Sequence, residues 1–85
     1  VSPMFHKLSA CTALQDHVLL AVFTSGDRRR LNCKALCQEH AVFRSLLRDP
    51  DLFSQVRVEP GGYAISWSDD LDLSAEYLWH HGDPV

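Results

Sequence analysis

The sequence predicts a small α+β domain, in which two antiparallel β-hairpins form one sheet system covered by short helices. Three observations predict it. An unbroken apolar run, Val18 to Phe23, leads into Ser25-Gly26-Asp27 and a polar return segment. Val56 and Val58 lead into Pro60-Gly61-Gly62, and Ile65 and Trp67 follow at period two. Helix-start signals stand at Asp49-Pro50 and at Ser74. Period-two apolar spacing marks strands, and glycine-containing breaks mark the turns between them.

In order, residues 1 to 7 read as a frayed lead-in. Leu8, Ala10, Thr12 and Leu14 share a period of two, so residues 8 to 14 form a first strand, and Gln15-Asp16 is a polar corner. Residues 17 to 24 form the strongest strand. Its continuous apolar run suggests a central strand covered on both faces. Ser25-Gly26-Asp27 turns the chain, and residues 28 to 31 return with Arg29 and Leu31 on one face and Arg28 and Arg30 on the other. Asn32 caps a short helical turn through Cys37 that buries Leu36. After a link at Gln38-Glu39-His40, residues 41 to 48 form a helix with Val42, Phe43, Leu46 and Leu47 on one stripe.

Asp49 caps a further turn with Pro50 at its first position, presenting Leu52 and Phe53. Residues 55 to 59 alternate as a half-buried strand. Pro60-Gly61-Gly62 turns the chain, and Tyr63, Ile65 and Trp67 share one face of the return strand. A polar link follows. Ser74 then caps the last helix, with Leu73 and Leu78 spaced as a hydrophobic staple. Residues 80 to 85 read as a frayed tail. The expected core is Leu20, Val22, Phe23, Leu31, Phe43, Leu46, Phe53, Val56, Val58, Ile65, Trp67 and Leu78.

At 85 residues this is a single domain, 1–85, with an ordered core over about residues 8 to 80. Hydrophobic residues make up 46%, enough for one small core, for which binding a partner would matter thermodynamically. The net charge of −3 argues against a general affinity for phosphate backbones, though a local basic patch survives that argument. No apolar run approaches the roughly 20 residues of a membrane span, and no signal-peptide pattern opens the chain. Three cysteines cannot all pair internally, so free thiols and a cytoplasmic location are expected.

The order of these elements resembles a small bacterial family, Domain of Unknown Function 2442. Leu20, Val22, Phe23 and Gly26 match its L-x-V-x-F-x-x-G. Phe43, Leu46 or Leu47, Asp49 and Phe53 match the helical segment, and Val56, Val58, Gly61 and Gly62 the V-x-V-x-x-G-G. Ile65 and Trp67 match I-x-W, and Asp72 and Leu73 the final D-L. Two positions depart from the pattern. Asn32 stands where the family has Asp, and the loop Ser68 to Leu71 lacks the family's glycine. The resemblance implies no established enzymatic activity. Some members are fused to a helix-turn-helix domain, for which these 85 residues leave no room. Others are encoded beside a second small protein in a toxin–antitoxin-like arrangement. By analogy, a small protein partner and an antitoxin-like or regulatory role follow, with a homodimer as the alternative.

Arg28, Arg29 and Arg30 are the only basic cluster. Arg28 and Arg30, pointing the same way, could grip an acidic partner or phosphate; the plainer reading is a solvated strand. Trp67 reads as core, whereas Tyr77 and Trp79 on the last helix read as interface aromatics. Cys33, Cys37 and His40 could contribute to a zinc site with a fourth ligand from His6, His17, His80 or His81. A plain buried-cysteine reading fits them better. Asp69, Asp70 and Asp72 lack the glycine and distal glutamate of a calcium loop. A Cys–His pair is the one nucleophile–base combination available, and nothing in the spacing joins it. The expectation is therefore a non-enzymatic, cofactor-free binding module using Arg28, Arg30, Tyr77 and Trp79. A nucleic-acid-contacting regulator and a zinc-stabilised domain are the alternatives.

Overall fold

The structure, a computed structural model, describes residues 6–85. Strands β1 (Leu8–Ala13), β2 (Val18–Phe23) and β3 (Arg28–Asn32) form an antiparallel meander. Helix α1 (Cys33–Glu39) follows at once, then a 3-10 turn (Ala41–Phe43) running into α2 (Arg44–Arg48), and α3 (Pro50–Ser54). Strands β4 (Arg57–Val58), β5 (Ala64–Ser68) and β6 (Leu71–Ser74) make a second antiparallel sheet. Helix α4 (Ala75–His81) leads to β7 (Asp83–Pro84), which returns to pair with β3. The first sheet therefore has the order β1-β2-β3-β7 and the second β4-β5-β6.

The caps behave as the sequence predicts. Asn32 accepts from the Lys34 N–H, Asp49 from the N–H groups of Asp51 and Leu52, and Ser74 from Tyr77. Each satisfies backbone donors that have no partner within the helix. The core lies between the inner face of the first sheet, the helices and the second sheet. Leu19, Leu46, Ile65, Trp67 and Leu78 are its largest buried side chains. Trp67 is T-shaped to Phe43 and stacked on Phe53, with ring centres 6.0 and 6.4 Å away. The two sheets meet where the Leu8 N–H donates to the Gly62 carbonyl at 2.7 Å.

The structure corrects several expectations. In β2 the buried residues are Leu19, Ala21 and Phe23, whereas Leu20 and Val22 are half-buried on the opposite face. A continuous apolar run carries no parity signal, so it cannot say which alternate set meets the core. A bulge near Ser9 separates buried Leu8 from Ala10 and Thr12, so these do not share one face. Val42 and Leu47 are exposed, because the 3-10 turn breaks the helical phase that put them beside Phe43 and Leu46. Tyr63 lies before β5 and is exposed, and β4 spans only Arg57–Val58, with Val56 and Val58 half-buried.

The link before the last helix holds a strand. Leu71 and Leu73 point inward from β6, and Asp72 and Ser74 outward. Nor is the tail frayed, since His80 and His81 complete α4 and Asp83 and Pro84 pair with Arg30 and Arg29. The expected lead-in falls partly outside the described residues. Within them, Lys7 accepts the Thr24 N–H at 2.8 Å and His6 is held on α4.

Candidate interaction surfaces

Strand pairing sorts the arginines. Arg29 lies opposite buried Ala21 and so faces inward, while Arg28 and Arg30 lie opposite Val22 and Leu20 on the outer face. That face also carries Ala10 and Thr12 from β1, Val18 and Leu20 and Val22 from β2, and Asn32 and Asp83 beyond. Among the described residues no helix lies over it. Ala10, Thr12, Arg28, Arg30, Asn32 and Asp83 are all exposed, and Val18, Leu20 and Val22 are half-buried. Neither Arg28 nor Arg30 makes a side-chain hydrogen bond or ion pair among the described residues. At one end the face drops into a groove of about 380 Å³ lined by Leu14, Gln15, Val18 and Arg30.

The aromatics of α4 are elsewhere. The Trp79 ring stacks on His6 at 3.7 Å, and the Arg29 guanidinium lies 3.9 Å from its centre. Two groups that close to one ring centre must occupy its opposite faces. Phe23 meets the ring edge-on at 5.0 Å. Glu76 holds His6 by its main-chain N–H and by its ring, with Nδ1 2.9 Å from Oε2, and His80 approaches the same oxygen at 3.5 Å. The hydrogen bonds from His6 hold the Glu76 carboxyl below its usual range. Tyr77 stacks on His81 at 4.1 Å, and burial pushes its hydroxyl pKa up. The four sequence-predicted contact residues thus divide, Arg28 and Arg30 on the outer sheet face and Tyr77 and Trp79 on α4. The His6–Trp79–Arg29 stack joins residues far apart in sequence, and no local pattern announces it.

A model of a protein family of unknown function, DUF2442, matches residues 8–84. The chain belongs to this family. Among solved structures, this DUF2442 chain is similar to one from Nitrosomonas europaea named "Putative DNA Binding Protein". The TM-score is 0.78 at 21% identity, over 95% of this chain, which spans about half (51%) of that one. At that identity the likeness establishes the shared fold. None of the curated proteins matches the chain.

Two departures from the DUF2442 pattern now have a structural setting. The loop without glycine is the two-residue turn Asp69-Asp70 between β5 and β6, closed by the Ser68–Leu71 pair. Neither aspartate has a positive φ, so the turn forms without glycine. Asn32, in place of Asp, still caps α1.

The remaining candidates stay apart. Among the described residues no three His, Cys, Asp or Glu side chains converge on a metal position. Cys33 and Cys37 are buried on the inner face of α1, and His40 turns edge-on to Phe43 beyond the helix end. Burial pushes the Cys11 and Cys33 thiols up to about 12 and raises Cys37 as well. No described helix is long and apolar enough to cross a membrane.

Proposed function

We propose that this chain is a non-enzymatic protein-binding module, antitoxin-like or regulatory, and that it recognises its partner through the outer face of the four-stranded sheet. One observation carries the reading. Strand β2 is apolar on both sides, and the described chain covers only the side of Leu19, Ala21 and Phe23. A strand covered on one side ordinarily alternates with polar residues, whereas an unbroken apolar run suits two covers. Burial of Cys33 and Cys37, which raises both thiols, supports the non-enzymatic part of this reading, because a protonated thiol is a weak nucleophile.

Capture from lysate of the source cell, read by intact-mass spectrometry, tests the proposal. Wild type and Trp79→Ala are expected to retain one small protein near equal stoichiometry. A Leu20→Ser, Arg28→Glu, Arg30→Glu variant, shown folded by circular dichroism, is expected to lose it. Retention of the partner by that variant rejects the surface.

The name of the Nitrosomonas protein and the two unpaired arginines support a second reading, a nucleic-acid-contacting regulator. Two residues along a strand span about 6.8 Å, a reach that suits repeated phosphate contacts. This reading predicts binding to a mixed-sequence DNA probe that falls steeply with salt. No retained probe at low salt rejects it. The outer face itself offers no aromatic ring for base stacking among the described residues.

A further inference from the structure

Resting on the protein-binding reading, we infer that the occupant of the outer sheet face is one amphipathic helix of a partner protein, lying along β2 with an acidic flank over Arg28 and Arg30.

Dimensions fix the shape of the occupant. The apolar row is one strand wide, Val18, Leu20 and Val22, between Ala10 and Thr12 on one side and Arg28 and Arg30 on the other. From β1 to β3 is two strand spacings, about 10 Å, which accommodates a single helix of about 10–12 Å diameter. Six residues of β2 run about 20 Å, the length of roughly 13 helical residues. The shallow depression at Leu14, Gln15, Val18 and Arg30 lies at one end of that path, where exposed Leu14 extends the apolar row.

Charge fixes its chemistry. Arg28 and Arg30 project from the same side of the row with no carboxylate paired to them among the described residues. A guanidinium fork matches a carboxylate in two parallel hydrogen bonds. Aspartate or glutamate three or four residues apart on a helix lie about 5–6 Å apart, close to the spacing of the two arginines. A second copy of this chain is a poorer occupant. Among the described residues its own outer face offers one side-chain carboxylate in the strand register, Asp83, against two arginines, so face-to-face docking leaves a guanidinium of each copy unmatched.

The test is selection of displayed helices, with a library of about 14 randomised residues on a helical scaffold, against the immobilised chain. Enriched sequences are expected to carry apolar residues at i, i+3, i+4 and i+7, with Asp or Glu along one flank. They should bind wild type at least about tenfold more tightly than the folded Arg28→Glu, Arg30→Glu variant. Exchanging their acids for lysine should reverse the preference. Enrichment at period two, enrichment without an acidic flank, equal binding to both chains, or no enrichment overturns the inference. If the lysate partner is nevertheless lost from the face variant, the binding reading stands and only the helical occupant fails. If that partner ignores the face substitutions, the reading itself fails.

Discussion

Gly62 ties the two sheets together at a single residue. Its φ is +82°, and a Cβ there would lie 2.6 Å from the Leu8 carbonyl oxygen, inside contact distance with rigid backbone. Gly61 has a similar φ of +94°, but its Cβ would meet only the Tyr63 ring at 3.4 Å. Alanine at Gly61 should therefore destabilise by about 1 kcal/mol, the left-handed strain alone. Alanine at Gly62 adds overpacking and should destabilise by about 3 kcal/mol. Urea unfolding of the two variants checks the difference.

Glu76 gives a second residue-scale prediction. Its folded pKa is depressed by the His6 hydrogen bonds, so its contribution is present above the unfolded carboxyl value of about 4.3 and is lost as pH falls through the lower folded value. Melting temperatures between about pH 6 and pH 3 should fall less steeply for Glu76→Gln than for wild type. Parallel curves would show that the His6 clamp on Glu76 adds no pH-dependent stability.

Among the elements, those with local signals were legible from sequence. Asp49-Pro50, Ser74 and Pro60-Gly61-Gly62 punctuate the chain through chemistry that needs only neighbours. The elements that were not legible depend on distant partners. Strand β7 is two residues long and contains Pro84, and it forms because β3 offers an edge beside Gly82. Strand β6 alternates correctly, but two preceding aspartates make it look like a linker. Removing residues 83–85 should lower stability by about 1 kcal/mol per lost hydrogen bond, seen as a shifted urea midpoint, and would leave β3 with a bare edge. Trp67→Ala should be far more damaging, by about 3–5 kcal/mol, because both Phe43 and Phe53 pack on that ring.

At the scale of the molecule, the described residues cover one face of the larger sheet and place no helix over the other. The positions of Arg28 and Arg30 on that open face followed from strand alternation alone. Tyr77 and Trp79 could not be placed that way, since His6, Arg29 and Phe23 meet Trp79 only after the sheet and α4 have assembled. The apolar run of β2 led to the expectation of cover on both faces, and the structure corrects it: among the described residues only the face of Leu19, Ala21 and Phe23 is covered, while Val18, Leu20 and Val22 stay half-buried. On the proposed function, a partner supplies the other cover.

Thiol footprinting tests it most directly, because the native cysteines are unpaired, inward-facing and raised in pKa, and should stay unlabelled while exposed ones introduced by mutation react. Maleimide labelling of Thr12→Cys, Arg30→Cys and, as a control on α4, Tyr77→Cys would be timed in the free chain and in the captured complex. Labelling at Thr12 and Arg30 is expected to slow strongly in the complex, with little change at Tyr77. Equal rates at Thr12 and Arg30 with and without the partner would contradict it.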